Sequence, residues 1–365
     1  MIIIKRVLHI VDSLNIGGLE TTVVNYYKYI NKKEYDFTYL VFGKRIGYYE
    51  ETIKKLGGTI LRMDTPSSSY FNYVNDLRKI FRENGPYDIV HSHTLFNSGF
   101  VMKAAFLEEI PIRIAHSHTN RKRLKNSLIK VIYIKYMRYL IEKYANVFVA
   151  CSQDAGKYLF GKTLFENQGT ILTNAIDIEN FTFNKDIRIK VRKEMDLEDK
   201  FVLGHTGSLN KLKNQSFLLD VLNKLIIDKP NIVLLLVGEG SQNDFLTEKA
   251  NNYGLSDNVL FLGNKTNIND LLMAFDVFVF PSILEGLGIS LIEAQSIGIP
   301  CLVSDNIPHE AIINKNVLEL PLEVDKWYDY LVDLKPLDFE SNKDVKKKYS
   351  LEVMLSQLEN IYNIV

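Results

Sequence analysis

The chain has 365 residues, which is more than one ordinary domain needs, so we expect two domains of similar size. Hydrophobic residues make up 46% and charged residues 24%, the balance of a globular protein with a full core. Lys and Arg together number 44, as do Asp and Glu. The resulting zero net charge argues against a nucleic-acid binder held by a global basic field.

The two cysteines, Cys151 and Cys301, lie far apart in the sequence and each sits beside an apolar run. We predict buried thiols, because neither cysteine has neighbours at metal-ligand spacing. Residues 1–8 are apolar but too short and too interrupted for a signal peptide, and no segment reaches the length of a membrane-spanning helix. We therefore expect a cytoplasmic protein.

Short apolar, β-branched runs alternate with amphipathic stretches almost throughout the chain. This alternation predicts parallel sheets covered by helices on both faces, in two doubly wound domains. The predicted boundaries are 1–175, 176–345 and a C-terminal helical segment 346–365 that could pack back on the first domain. The predicted strands are Val7–Asp12, Phe37–Phe42, Thr59–Met63, Asp88–His91, Arg113–His116, Val147–Ser152, Thr170–Leu172, Phe201–Thr206, Ile232–Gly238, Val259–Leu262, Val277–Pro281, Cys301–Ser304 and Val317–Leu320.

The loop after the first predicted strand carries a glycine pair, Gly17 and Gly18, and opens a helix. Paired glycines let a ligand approach the backbone, and a helix N-terminus favours phosphate. A plain turn remains an alternative, because a glycine pair alone is weak evidence.

The segment Phe280–Ala294 gives a stronger signal, since an apolar strand is followed by a glycine-bearing loop and then by a helix that begins near Gly288. Glu285 is predicted in the loop and Glu293 more than one turn into the helix. The helix start would offer free N–H groups to a diphosphate, and carboxylates suit hydrogen bonds with sugar hydroxyls.

At this point the sequence resembles glycosyltransferase family 4, whose GT-B fold consists of two Rossmann-like domains facing across a cleft. The family's E-x7-E element is present from Glu285 to Glu293, within P-S-x-x-E-G-x-G. The resemblance covers essentially the whole chain, in the expected order. Further matching segments are Gly17-Gly18-x-Glu20, Asn174-Ala175-Ile176-Asp177, Val237-Gly238-Glu239-Gly240 and Phe261-Leu262-Gly263.

The resemblance implies that Glu293 binds the ribose of a nucleotide-sugar donor and that Glu285 binds the donor sugar. It also implies that Lys213 neutralises the phosphates, with the Gly17–Gly18 loop covering the diphosphate. The backbone expected at the diphosphate is that of Gly286, Leu287, Gly288 and Ile289, and Asn264 and Lys265 are expected at the nucleobase.

One position departs from the family pattern. Similar enzymes have an arginine after the glycine that matches Gly207, whereas this chain has Ser208. Lys211 lies nearby and could substitute in part, although a lysine is a point charge and not a planar fork. The departure puts stabilisation of the leaving group in doubt.

Histidines follow two neighbouring predicted strands, as His91 and His93 and as His116 and His118. Similar enzymes have a histidine after the second of these strands, close to the reacting centre. Alternation along the strand predicts that His116 and His118 point the same way, so that one supports the other. We favour His118, which lies further toward the carboxyl end of the strand. No metal site is expected, because no carboxylate accompanies the histidines at ligand spacing and similar enzymes need no bound metal.

The segment 121–143 contains eight basic residues and one acidic residue, Glu142, mixed with Tyr, Ile and Leu. Such a composition suits a helix on an anionic membrane surface, on the inner face of the cell membrane. A core-facing helix with a solvated basic side is an equally good interpretation. Membrane contact would favour a lipid-linked acceptor.

We therefore hypothesise a retaining glycosyltransferase that moves a sugar from a nucleotide diphosphate-sugar to a glycan or lipid-linked glycan in bacterial surface-polysaccharide synthesis. We favour a UDP-sugar as the donor, and we expect no cofactor. A nucleotide-sugar epimerase and a non-catalytic sugar-nucleotide-binding partner of another transferase remain alternatives. A dinucleotide-dependent dehydrogenase is disfavoured, because no third glycine follows Gly238 and Gly240 at the required place.

Overall fold

The computed structural model describes residues 4–15, 17–64, 70–119, 128–334, 339 and 342–364. The chain forms two compact units. The N-terminal unit contains Met1–Ala175 and Leu351–Val365, and the C-terminal unit contains Ile176–Ser350. The last helix of the chain therefore belongs to the N-terminal unit.

The N-terminal unit is built on a seven-stranded parallel sheet in the order β3-β2-β1-β4-β5-β6-β7. Its order reverses between β1 and β4, which is the switch point where ligands bind in open α/β sheets. The strands are β1 Lys5–Val11, β2 Tyr35–Phe42, β3 Thr59–Met63, β4 Ile89–Ser92, β5 Ile112–Ser117, β6 Val147–Ala150 and β7 Gly169–Ile171. The helices are α1 Gly18–Tyr29, α2 Glu50–Lys55, α3 Tyr70–Asn84, α4 Ser98–Leu107, α5 Leu128–Tyr144, α6 Gln153–Phe160 and α7 Lys162–Gln168, with a 3-10 turn at Leu95–Asn97.

Strand alternation separates the two faces of this sheet. On β1, Leu8 and Ile10 pack into the core that α3, α4 and α5 cover, whereas Val7 and Val11 pack into the opposite core. The opposite core also contains apolar residues of α1 and of the final helix, such as Met354 and Leu358. The C-terminal helix thus completes the layer that covers one face of the first sheet.

The C-terminal unit repeats the design with a six-stranded parallel sheet in the order β10-β9-β8-β11-β12-β13, whose switch point lies between β8 and β11. Its strands are β8 Phe201–Thr206, β9 Ile232–Val237, β10 Val259–Gly263, β11 Val277–Phe280, β12 Cys301–Ser304 and β13 Val317–Leu320. Its helices are α8 Lys185–Glu194, α9 Gln215–Leu225, α10 Asn243–Asn252, α11 Ile268–Met273, α12 Ile289–Ile297, α13 Val324–Asp333 and α14 Lys343–Tyr349, with a 3-10 turn at His309–Ala311, and α15 Leu351–Tyr362 follows.

The predicted fold class of two doubly wound parallel sheets is confirmed, and the predicted strands are all present with ends shifted by a residue or two. Cys151 and Cys301 are buried thiols that form no disulfide, as predicted. Of the basic segment 121–143, residues 121–127 lie outside the described residues. None of the described helices has the length and apolar character needed to cross a bilayer.

Candidate functional sites

An ion pair joins the loops that follow β8 and β11, at the switch point of the second sheet. Lys213 Nζ lies 2.7 Å from Glu285 Oε1, and the two side chains are 20% and 9% exposed. The ammonium group also lies 4.8 Å from the centre of the Phe280 ring. Both charges are thus held in a largely desolvated position at the carboxyl end of the sheet, where the sequence predicted a donor site.

Backbone contacts fix the two loops against each other. The Ile283 N–H donates to the Leu212 carbonyl at 2.8 Å, and the Asn214 side chain donates to the Pro281 carbonyl at 3.3 Å. Gly207 has φ +147°, and a Cβ built there would lie 3.5 Å from Lys213 Cε. A glycine therefore allows the positive φ and leaves room for the lysine stem.

Helix α12 begins at Ile289, after the N-cap residue Gly288, which adopts φ +86°. The first hydrogen bond of the helix runs from the Leu291 N–H to the Gly288 carbonyl at 2.9 Å, so the N–H groups that precede it suit this N-terminus to an anion. Leu287 is buried beside it, and Ile289 is the first helical residue. Glu293 lies one turn further along, and desolvation raises the pKa of its carboxyl to about 8 although part of the side-chain surface is exposed. A carboxyl with this pKa is mostly protonated at neutral pH.

Of the other residues predicted for the donor side, Asn264, Lys265 and Ser208 are exposed and Gly286 is half-buried. Asn264 follows β10 and donates to Glu239 Oε2 at 3.1 Å, with Lys265 next to it. Gly286 lies in the loop between Glu285 and Leu287. Ser208 is exposed after β8, and its carbonyl accepts a hydrogen bond of 3.0 Å from Gln215.

The loop after β8 also borders a pocket that sequence reasoning did not predict. Its volume is about 270 Å³, and Lys211 lines it together with Gln215 and Phe245. The side chain of Gln215 is hydrogen-bonded to the core of the unit, because its amide nitrogen lies 3.1 Å from Nε2 of the buried His205. Desolvation lowers the pKa of His205 to about 4, so this imidazole is neutral and serves as an anchor for the loop.

In the N-terminal unit, the N-terminus of α1 is occupied by the side chain of Glu20, from the first turn of the same helix. Gly17 is extended and precedes Gly18, the first helical residue. A Cβ at Gly17 would overlap the carboxylate of Glu20, which folds back over it. Desolvation raises the pKa of Glu20, with nearby Asp12 adding to the effect, and burial also raises the pKa of Asp12. A diphosphate could reach this backbone only if Glu20 moved aside, so the role of Gly17 and Gly18 stays a prediction.

A buried cluster of histidines lies at the switch point of the first sheet. Six side chains of the N-terminal unit are connected by hydrogen bonds in the order His118, His93, His9, Tyr362, His91 and His116. Strand register explains the arrangement. His9 on β1 pairs with His91 on β4, and His91 pairs with Ile114 on β5, so the alternating residues of the three strands share one face.

The cluster corrects one prediction. His116 and His118 do face the same way, with ring centres 3.9 Å apart, but neither supports the other by a hydrogen bond. His118 Nε2 is instead held by His93 Nδ1 at 2.9 Å, and His116 Nδ1 by His91 Nε2 at 3.0 Å.

Sequence reasoning also missed two members, His9 and Tyr362. The pattern Val7-Leu8-His9-Ile10-Val11 carried a signal for His9, because a polar residue inside an apolar strand calls for a buried partner. The sequence predicted that segment 346–365 could return to the first domain, but no sequence signal marked the Tyr362 hydroxyl as a partner of the histidines.

The cluster contains nitrogens that could hold a metal ion. Within the described residues, His9, His91 and His93 form one group with ligand atoms within 4.8 Å of one another, and His93, His116 and His118 form another. Burial lowers the pKa of all five imidazoles, that of His118 to about 3, so they are neutral. All ring nitrogens of the cluster except His116 Nε2 and His118 Nδ1 have a hydrogen-bond partner within it, and neutral imidazoles can pair in this way without a metal.

Comparison with known proteins identifies the family. A family model for "Glycosyltransferase Family 4" matches residues 16–180, and a model for "Glycosyl transferases group 1" matches residues 186–326. The putative glycosyltransferase EpsF of Bacillus subtilis is 32% identical over 373 residues, covering 99% of this chain and 97% of EpsF. The chain belongs to glycosyltransferase family 4.

Other relatives extend the similarity over the full length. The capsular polysaccharide biosynthesis glycosyltransferase CapH of Staphylococcus aureus is 28% identical, with 98% of each chain covered. Among solved structures, Anabaena HepE in complex with UDP and glucose has a TM-score of 0.83 at 18% identity, covering 98% of this chain and 99% of HepE. The two Rossmann-like sheets are therefore those of the GT-B fold.

The family-4 interpretation gives each unit of the chain one candidate site. In the C-terminal unit, Lys213 and Glu285 are in direct contact, and the remaining predicted donor residues follow β8, β10 and β11 of the same sheet. In the N-terminal unit, His116 and His118 belong to the histidine cluster at the carboxyl ends of β4 and β5. The roles assigned to these residues remain predictions.

Proposed function

We propose that this glycosyltransferase moves a hexose from a nucleotide diphosphate-sugar to a hydroxyl of a glycan or lipid-linked glycan during synthesis of a bacterial capsule or exopolysaccharide. The observation that carries the proposal is the partly buried Lys213–Glu285 pair at the switch point of the second sheet. A UDP-linked donor is supported by the HepE complexes with UDP and with UDP-glucose. The name of CapH, a glycosyltransferase of capsular polysaccharide biosynthesis, supports the choice of pathway.

The residues divide the chemistry as follows. The uncapped N-terminus of α12 and the Lys213 ammonium would stabilise the diphosphate as negative charge develops on it. Glu285 would hold hydroxyls of the donor sugar, and His118 would face the reacting centre. We propose retention through front-face attack, with the departing phosphate stabilising an oxocarbenium-like state and with no metal ion required.

The enzyme class is tested with a panel of nucleotide sugars, with released nucleoside diphosphate and sugar products measured on EDTA-treated protein. We expect release from one donor, abolished in Glu285→Ala and weakened in His118→Ala. Sugar isomerisation without acceptor would indicate an epimerase instead. No release from any donor, with or without acceptor glycans, would refute the proposal.

The nucleotide site has a separate test in the raised pKa of Glu293. A carboxylate accepts hydrogen bonds from ribose hydroxyls better than a protonated carboxyl does, so nucleotide binding should favour ionisation. We expect UDP to release close to one proton at pH 7, measured by isothermal titration calorimetry in buffers of different ionisation enthalpy. Glu293→Gln should bind UDP without this release. Equal proton release by both proteins would contradict the assignment.

We further propose that α5 contacts an anionic membrane surface and brings the enzyme to a lipid-linked acceptor. One face of the helix carries exposed apolar side chains at helical spacing, including Leu128 at 76%, Ile132 at 59% and Tyr139 at 53% exposure. Its opposite face is buried through Met137, Leu140 and Ile141. The rest of the basic segment, residues 121–127, lies outside the described residues.

Vesicle co-sedimentation tests this contact. We expect binding to vesicles that contain phosphatidylglycerol, weaker binding to neutral vesicles, and loss of binding in the double variant Ile129→Ser/Ile132→Ser. Ile189→Ser is the matched control, because Ile189 is a comparably exposed isoleucine of the other unit, at 55%. Binding that ignores both lipid charge and the double substitution would overturn the membrane proposal.

A further inference from the structure

The histidine cluster contains more buried imidazoles than one catalytic histidine requires. His9, His91 and His116 are fully buried, His93 is 6% exposed, and Tyr362 is fully buried among them. A buried polar ring is tolerated when its nitrogens have partners, so the pattern of hydrogen bonds determines what the cluster can do.

Along this series of hydrogen bonds, Nε2 of one imidazole always faces Nδ1 of the next imidazole or the Tyr362 hydroxyl. His118 Nε2 lies 2.9 Å from His93 Nδ1, and His93 Nε2 lies 3.1 Å from His9 Nδ1. His9 Nε2 lies 3.2 Å from the Tyr362 hydroxyl.

The hydroxyl continues the chain in the same sense. It lies 3.0 Å from His91 Nδ1, and His91 Nε2 lies 3.0 Å from His116 Nδ1. The two nitrogens left over, His118 Nδ1 and His116 Nε2, are buried and have no hydrogen-bond partner among the described residues. The five imidazoles are therefore connected head to tail, with one free nitrogen at each end.

Counting protons shows what this connection requires. A neutral imidazole carries one ring proton, so five rings and one phenol supply six protons for five hydrogen bonds. When every bond is made, one proton remains for one of the two ends. If it is on His118 Nδ1, all five rings are Nδ1–H tautomers, and if it is on His116 Nε2, all five are Nε2–H tautomers.

We propose that the Tyr362 hydroxyl is a positioning group that locks the five imidazoles into one shared tautomer, so that the free nitrogens of His118 and His116 always have opposite character, one a donor and the other an acceptor. The rings of these two histidines lie 3.9 Å apart. Of the two residues only His118 is partly exposed, so a sugar hydroxyl, which can both donate and accept, would meet the cluster at His118. This inference rests on the proposed function, in which His118 faces the reacting centre.

The neutral state of the rings is a condition for this device, and the environment provides it. Desolvation is the main reason that the pKa values of His9, His91, His93 and His116 are lowered, and the other imidazoles add to the effect. Burial alone lowers the pKa of His118. The hydrogen-bonded side chains come from β1, from α15 and from the carboxyl ends of β4 and β5. Residues far apart in the sequence therefore set the tautomer of His118.

The test uses long-range proton–nitrogen NMR spectra of the full chain labelled with ¹⁵N-histidine and treated with EDTA. Such spectra distinguish the two neutral tautomers of each ring. In the wild-type protein we expect the five cluster imidazoles to show the same tautomer. Two different tautomers among the five would overturn the proposal, and this measurement needs no variant.

Tyr362→Phe removes the central link and leaves two shorter chains, each free to choose its own direction. We expect His118 to populate both tautomers in this variant. Tyr26→Phe is the matched control, because Tyr26 is a buried tyrosine whose ring lies 6.4 Å from that of His91 and whose hydroxyl has no hydrogen-bond partner among the described residues. It should keep the wild-type spectrum. A wild-type pattern in Tyr362→Phe would contradict the inference.

Kinetics then connect the tautomer to the reaction. With the donor found for this enzyme, kcat of Tyr362→Phe should fall in proportion to the population of His118 that has left the wild-type tautomer, while KM for the donor stays unchanged. A rise in KM with constant kcat would refute the positioning role. If the wild-type protein transfers no sugar, the proposed function fails while the NMR result still decides the tautomer proposal.

Discussion

The Lys213–Glu285 pair allows a quantitative prediction, because it is largely shielded from water, whereas the Lys224–Asp325 pair has the same N–O distance and is exposed. Lys213→Met leaves the Glu285 carboxylate, whose side chain is 9% exposed, without its counter-charge at 2.7 Å. The gross attraction at this distance is about 6 kcal/mol at an effective dielectric constant of about 20. Removing one partner of a buried pair costs about 3–5 kcal/mol, and we expect the lower end because Lys213 is 20% exposed.

A loss of about 3 kcal/mol should lower the melting temperature of a unit of this size by about 6–12 °C. Differential scanning calorimetry of the ligand-free protein measures the shift. Lys224→Met is the control, because Lys224 lies 2.7 Å from Asp325 with side chains 42% and 82% exposed. Water and salt screen that pair, so its melting temperature should stay close to wild type.

The single variant Glu285→Gln and the double variant Lys213→Met/Glu285→Gln complete a double-mutant cycle. The amide carries no charge to leave unpaired, so the double variant should be more stable than Lys213→Met alone, with a coupling energy of about 2 kcal/mol. A coupling below about 0.5 kcal/mol, together with equal melting temperatures for Lys213→Met and Lys224→Met, would refute the reasoning.

Three further predictions concern the same unit. Because the pKa of Glu293 rises from 4.5 to about 8 on folding, the folded state holds a proton that the unfolded state releases, so stability should fall as pH rises between those values. This slope of the free energy of unfolding is at most about 1.4 kcal/mol per pH unit, and Glu293→Gln should remove it. Melting curves recorded across that pH range measure the slope, and an unchanged slope in the variant would refute the prediction. Gly288→Ala places a side chain at φ +86° and should cost about 1–2 kcal/mol while weakening UDP binding by calorimetry; wild-type values for both would contradict the role of the positive φ. Asp276 is buried and accepts hydrogen bonds from Arg188, Arg192 and the Val202 N–H, so Asp276→Asn should cost about 3 kcal/mol in urea unfolding, and a loss below about 1 kcal/mol would disprove the buried-charge argument.

The histidine cluster shows where prediction from sequence ends. His91, His93, His116 and His118 could be found because they follow predicted strands, and the period of two in a strand placed each pair on one face. Their hydrogen-bond partners could not be found, since pairing between β1, β4 and β5 depends on the order of strands in the sheet. Tyr362 is more distant still, because its position depends on the docking of the last helix.

The donor-side residues show the same division. The strand, glycine and helix signals from Phe280 to Ala294 are local, so the sequence was sufficient to predict β11, the start of α12 near Gly288 and the loop position of Glu285. The burial of the Lys213–Glu285 pair and the raised pKa of Glu293 depend on which loops and core residues surround them.

Local patterns of hydrophobicity and glycine thus determined the strands, the two doubly wound units and the family of this protein. Only the tertiary structure decided the partners of each polar side chain, the face of the first sheet that α15 covers and the connection of five imidazoles through Tyr362. The physical reason is that secondary structure follows from neighbours along the chain, whereas desolvation and hydrogen bonding follow from neighbours in space.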